Sequence, residues 1–243
     1  MIKKLFIFLL LVLLLVYLVA AMTIFNSKPS EVVCKDVDVV LKDTMNFGFI
    51  NKKELIGLLK QKGISPIGKT MNEINTDTLE RVLEKQPFIE EANCYRTPGN
   101  EIGITVKQRV PLLRVMANSG ENYYVDTKGH IMPVPNKASH VAVATGFIDK
   151  KFAQKELYEL GEYLHTHPLW DAQVEQINIT ANREIELVPR VGEQIIFLGK
   201  PGAYDRKFKR LKFFYENGLN KVGWNKYSRI SLEFDNQIIC TKR

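Results

Sequence analysis

The chain has 243 residues, 45% of them hydrophobic and 25% charged, and that balance with no low-complexity tract or repeat is the composition of a folded protein. Its length accommodates one large or two small domains. Three cysteines, Cys34, Cys94 and Cys240, exclude a closed disulfide framework because their number is odd.

The N-terminus stands apart from the rest. Leu5 to Met22 reads LFIFLLLVLLLVYLVAAM, eighteen residues without a charge, and Thr23, Ile24 and Phe25 extend it. At about 1.5 Å per residue such a helix approaches the thickness of a bilayer's hydrocarbon core. Lys3 and Lys4 precede the run, so residues 1–4 are expected to form a cytoplasmic tail and residues 5–25 a transmembrane helix. Val19-Ala20-Ala21 also spells a signal-peptide cleavage site, but the run exceeds the usual ~7–15-residue apolar region of such peptides. Either way the folded part is expected outside the cytoplasm, where ATP is scarce.

Asn26 to Ser30 reads as a polar linker, and Glu31 to Val40 as a strand with Val33, Val37 and Val39 on one face. Asn51, with Glu54 three residues on, caps a helix whose Leu55, Ile56, Leu58 and Leu59 recur at helical spacing and which Gly63 ends. There the sequence GISPIGKT, Gly63 to Thr70, matches the phosphate-loop pattern G-x-x-x-x-G-K-[ST]. That loop needs an apolar strand leading in and a helix starting at its Lys-Thr end. Here a capped helix leads in and polar residues follow, so the octapeptide is read as a helix-to-helix connection. A second helix is predicted over Asp77 to Lys85, then strands over Ile89–Arg96 and Glu101–Arg109 about the turn Thr97-Pro98-Gly99-Asn100. One small sheet with two helices on one face buries all these stripes together.

Beyond Tyr124, His140 to Gly146 reads as a strand and Lys150 to His165 as a helix. Strands follow at Gln173–Thr180, Arg183–Pro189 and Gln194–Leu198. A basic helix spans Tyr204 to Glu216, with Phe208, Leu211 and Phe214/Tyr215 on its apolar side. Strands at Tyr227–Asp235 and Ile238–Lys242 complete a mostly antiparallel β domain with two helices. The charge excess lies here: residues 200–243 carry 11 basic and four acidic side chains, while 1–199 carry 23 of each. Such a basic end can face anionic lipid, an acidic partner or simply water.

Little in this sequence points to catalysis. His165-Thr-His167 is the one histidine pair, at a helix end before Pro168 and without acidic or cysteine company, so no metal site is expected. No nucleophile elbow or spaced carboxylate pair is recognisable, and neither catalytic residues nor a cofactor site are assigned. Asn178-Ile-Thr180 spells a glycosylation triplet of a kind that arises often by chance.

The strand-helix-helix-strand-strand order after an N-terminal anchor resembles a POTRA domain. Glu54-Leu55-Ile56, Leu79-Glu80, Pro87-Phe88-Ile89 with Ala92 and Arg96, Ile102-x-Ile104-x-Val106 and Arg109-x-Pro111 carry the likeness. With Tyr124-Val125-Asp126-x-x-Gly129 and Met132-Pro133, the chain is similar to the FtsQ/DivIB cell-division family. The resemblance implies an α+β protein with a transmembrane helix, a β-α-α-β-β POTRA domain over 32–116 and a β domain over 117–243. It implies a non-catalytic, single-pass scaffold of the bacterial inner membrane, its bulk in the periplasm, acting in septation with FtsB- and FtsL-like and, further out, FtsW/FtsI-like partners. No nucleic acid or small-molecule substrate is implied. A final strand can leave one row of backbone groups open to a strand from another chain. The resemblance places that surface on Phe234, Asn236, Ile238, Cys240 and Lys242, with Lys200 and Arg229 as further contacts. Thr241, Lys242 and Arg243 stand where some relatives carry an aromatic residue. A POTRA-type chaperone for outer-membrane or secreted polypeptides is the alternative; such proteins usually carry tandem POTRA modules or a transmembrane barrel, and neither is read here.

Overall fold

The computed structural model describes residues 2–25, 32–42 and 48–243, so the expected linker Asn26–Ser30 and the start of the first strand at Glu31 lie outside the described residues. Two compact units emerge, the first built mainly from residues 52–83 and 92–106 with the chain up to Leu41, the second from 107–243 with 84–91.

Helix α1 spans Ile2–Phe25. Its described side chains run from Leu10 to Met22 and all but Ala21 are exposed. Over the described residues no helix is long and apolar enough to cross a membrane; the sequence to either side continues the same uncharged run from Leu5 to Phe25.

The rest of the first unit is β1 (Val37–Leu41), α2 (Lys52–Gln61), α3 (Thr76–Glu84), β2 (Ile89–Arg96) and β3 (Ile102–Gln108), with a sheet ordered β1-β3-β2. β1 runs parallel to β3, Val37 opposite Ile102. Leu55 and Leu59 on α2, and Leu79 and Leu83 on α3, are all buried because a spacing of four returns a side chain to the same helix face. Cys34 and Cys94 are buried in this unit, and Cys34 Sγ donates to Asp36 O (3.3 Å).

The GISPIGKT stretch is pinned to the segment before β1. Gly68 donates its N–H to Cys34 O (3.0 Å), Lys69 donates to Pro66 O (3.1 Å), and Met71 donates to Val32 O (2.8 Å). Amides that a phosphate loop would aim at its ligand are spent on the chain itself, and α3 starts only at Thr76. The spelling is coincidental.

The second unit contains β4 (Pro111–Ala117), β5 (Asn122–Asp126), β6 (Ile131–Met132), β7 (Ala142–Gly146), α4 (Lys150–Phe152), α5 (Tyr158–His165), α6 (Pro168–Gln173), β8 (Val174–Ile179), β9 (Ile185–Pro189), β10 (Ile195–Gly199), α7 (Tyr204–Phe214), α8 (Asn220–Val222), β11 (Tyr227–Ser231) and β12 (Ile239–Lys242). A π turn joins α4 to α5 and another joins α7 to α8, so each set forms one continuous helical stretch. The sheet order is β12-β11-β10-β9-β8-β7-β4-β5-β6. Antiparallel pairs predominate; the parallel ones are β4 with β7, β7 with β8, and β10 with β11. The last two are crossovers through helices, which supply Leu160, Leu164, Phe208 and Leu211 to a core shared with Val115, Ile177, Leu187, Ile196 and Ile230.

Three expectations need correction. β4 is a full strand of the nine-stranded sheet, so residues 111–116 pair with the second domain although the sequence reading groups them with the first. Pro111 looks like a terminator but sits at the strand's first residue, where a missing N–H is tolerated. β11 stops at Ser231 rather than Asp235, because Leu232 leaves the β12 pairing and donates its N–H to Phe197 O (2.8 Å). Lys207, counted with the basic helix face, is 7% exposed and donates to Lys200 O at 2.7 Å.

Gly161 lets α5 press onto β4: a Cβ there would lie 2.7 Å from Leu113 Cδ1 and 3.1 Å from Leu112 Cδ2. Gly→Ala in an open helix interior gains up to about 1 kcal/mol, whereas overpacking a core costs about 1–3 kcal/mol. Gly161→Ala is therefore expected to lower stability, measured as the urea midpoint of the second unit's unfolding; a raised midpoint would show that the leucines yield freely.

Candidate functional site

β12 has one neighbour in the sheet, β11, so one of its edges is unpaired among the described strands. The register fixes which groups face outward. Arg229 lies opposite Thr241 and Ser231 opposite Ile239. Leu232 is directed at β10, so Ser231 and Arg229, one and three residues away, are directed at β12. Thr241 and Ile239 accordingly point inward; Ser228 Oγ donates to Thr241 O (3.4 Å) and Arg243 N–H donates to Lys226 O (3.3 Å) on that same side. The N–H and C=O groups of Cys240 and Lys242 are left facing outward.

The side chains divide differently. Cys240 and Ile238 pack against the core on the helical side, and burial pushes the Cys240 thiol up. Ile239 is 45% exposed on the opposite face. Thus Cys240 offers its backbone rather than its sulfur. Phe234 is 49% exposed and Asn236 is exposed in the turn before β12. Lys200 adjoins this turn, since Gly199 lies against Glu233, and its Nζ donates to Asn182 O at 2.7 Å.

Arg229 is placed otherwise. Its guanidinium lies over the Phe197 ring (4.3 Å) and donates to Glu186 Oε1 at 2.7 Å, on the sheet face rather than its edge. Asn178 Nδ2 donates to the other Glu186 oxygen at 2.9 Å, so the amide of the glycosylation triplet is also engaged. Burial pushes the Glu186 carboxyl up, but the hydrogen bonds from Asn178 and Arg229, with the charge of Arg229, outweigh it and hold the carboxyl below the usual range.

The sequence predicts helix α7 but assigns it no part in this site. A notch of about 420 Å³ lies between α7 and the turn before β12, lined by Arg210, Phe213, Gln237 and Ile238 among others. Arg210 Nη2 donates to Gln237 O, while its Nη1 is buried with no partner among the described residues. Phe213 is 66% exposed. An aromatic residue outside the helix's apolar stripe was the available signal.

The basic C-terminal end is partly neutralised locally. Arg206 pairs with Asp235 (2.7 Å), Lys209 with Asp205 (2.8 Å), Lys212 approaches Glu216 (4.0 Å), and Arg243 meets Glu193. No group of acidic, histidine or cysteine side chains able to hold a metal occurs among the described residues.

Comparison with known proteins agrees with this architecture. A family model described as FtsQ/DivIB, C-terminal related, matches residues 110–241, and a POTRA-like domain model matches residues 32–107. The cell division protein FtsQ of Geobacter sp. (strain M21) is 31% identical over 205 residues, covering 79% of this chain and 72% of that protein.

Because the Glu186 carboxyl is held low in the folded state, its contribution is fully present above its ordinary value near 4.5 and is lost as pH falls through the lower folded value. Glu186→Gln is expected to reduce the fall in the urea midpoint between pH 7 and about pH 3.5. An unchanged acid-side slope would remove Glu186 from the groups that set it.

Proposed function

The chain belongs to the FtsQ/DivIB family of cell-division proteins, and from that premise we propose that it is a non-catalytic scaffold of the division complex that recruits partners by accepting a strand on β12. The observation that carries this reading is the outward row of backbone groups on Cys240 and Lys242 beside an exposed Phe234. An incoming strand gains main-chain hydrogen bonds there, and alternate side chains select it. FtsB- and FtsL-like proteins are the proposed partners, with FtsW/FtsI-like proteins further along the same assembly.

The proposed topology is a single pass through the inner membrane, with Lys3 and Lys4 in the cytoplasm and the two units in the periplasm. Support comes from the uncharged run and its flanking lysines within a helix of 24 residues, about 36 Å long at 1.5 Å per residue. Confinement to a membrane raises the effective concentration of partners held in the same plane.

Proline substitution tests the edge directly. Lys242→Pro removes an N–H that the sheet does not use, whereas Thr241→Pro removes one directed at β11. With a soluble FtsB-like segment as titrant, Lys242→Pro is expected to weaken binding about tenfold with an unchanged unfolding midpoint. Phe234→Lys and a chain ended after Asp235 are expected to abolish capture. Unchanged affinity in Lys242→Pro would exclude strand addition at this edge. For topology, a periplasm-dependent reporter fused after Arg243 is expected to be active; activity only inside the cell would overturn the proposed orientation.

A further inference from the structure

A second notch, of about 260 Å³, opens between α5, α6 and α7. Lys209 lines both this notch and the one beside β12, so the α7 ridge separates them. Its floor is aromatic and already locked. The Tyr163 and Phe208 rings stack at 5.0 Å, Trp170 lies 4.8 Å from Phe208, and His167 stacks on Tyr163 at 4.1 Å. His167 Nδ1 lies 2.7 Å from Tyr163 O, and a carbonyl can only accept, so Nδ1 carries the proton and the ring is held in one orientation. Phe208 and Trp170 are buried beneath, while Leu169 on the rim is 48% exposed.

The volume is below the ~300–1,000 Å³ of small-molecule sites, which suits one bulky side chain rather than a cofactor. The charge of the lining is one-sided: Lys209 and Lys212 against Asp205. Asp205 answers Lys209 at 2.8 Å, but Glu216 stands 4.0 Å from Lys212, leaving that ammonium able to take another carboxylate. We infer that this notch is a second docking site, separate from the β12 edge, which seats one aromatic or large aliphatic side chain of an acidic partner segment. The rings are fixed before binding, so little ordering entropy opposes it, and the apolar side chain supplies most of the affinity while Lys212 selects for flanking carboxylates.

The test uses the full chain in uncharged detergent micelles and a fluorescein-labelled peptide, acetyl-Glu-Asp-Phe-Asp-Glu, followed by fluorescence anisotropy. Saturable binding is expected. It should weaken about fivefold with Lys212→Glu or Leu169→Ser, and similarly when the probe's Phe is replaced by Ala or the salt is raised. Lys242→Pro should leave it unchanged, which separates this site from the β12 edge. Circular dichroism should be unaltered in these surface variants. Absence of saturable binding, equal binding of a lysine-flanked probe, or insensitivity to both Lys212→Glu and Leu169→Ser would overturn the inference. So would self-association abolished by Leu169→Ser without peptide binding, which assigns the notch to a second copy, or capture by phosphatidylglycerol vesicles alone, which assigns it to lipid.

Discussion

Phe208 holds together the two helical crossovers on which the second unit depends. It is fully buried on α7, where it stacks on Tyr163 of α5 and lies tilted by 52° against Trp170 of α6. A parallel pair cannot be closed by a tight turn, so β7 to β8 and β10 to β11 each need a long connection that must pack somewhere. Here both pack against each other, and Tyr204 OH adds a 3.3 Å hydrogen bond to Glu156 O. One helical layer therefore covers one face of a nine-stranded sheet. β11 is delivered beside β10 in parallel, and only a short reversal remains to lay β12 outside it.

An unpaired edge invites aggregation, and this one is limited in recognisable ways. β12 is four residues long and ends in Lys242 followed by Arg243. Cys240 and Ile238 turn their side chains to the core, so the edge offers backbone without a continuous apolar stripe. A strand so short and so basic at its end is a poor template for a copy of itself. The exposed aromatics near this end are Phe234 and Phe213.

What the sequence revealed depended on whether local signals and tertiary packing agreed. The helical stretch from Lys150 to His165 and the strand Ile89–Arg96 match their predicted bounds, because periodicity, flanking turns and burial all point the same way. β4 was hidden by Pro111, a local stop signal overruled by its place at the strand's start. β11 ended early because Leu232 finds its backbone partner on β10, which no alternation pattern records. Lys207 counts by residue type among the basic side chains of this end, and only the fold shows its ammonium donating to Lys200 O. The candidate segment Phe234–Lys242 was readable only as what the resemblance implies. The outward orientation of Cys240 and Lys242 was not readable, because register is a property of two strands rather than one.

The surplus of positive charge in the last 44 residues illustrates the same limit. By composition it suggests a surface for anionic lipid. In the structure Arg206, Lys209, Arg229 and Arg243 each meet a carboxylate, and Lys207 is buried. Exposed pairs of this kind contribute little to stability, but they reduce the long-range field that would gather a membrane or a polyanion. What this surface keeps is short-range: two outward backbone groups at one edge, a buried guanidinium nitrogen with no partner among the described residues, and an aromatic notch across the α7 ridge. On the proposed reading, such features select a polypeptide by geometry before charge.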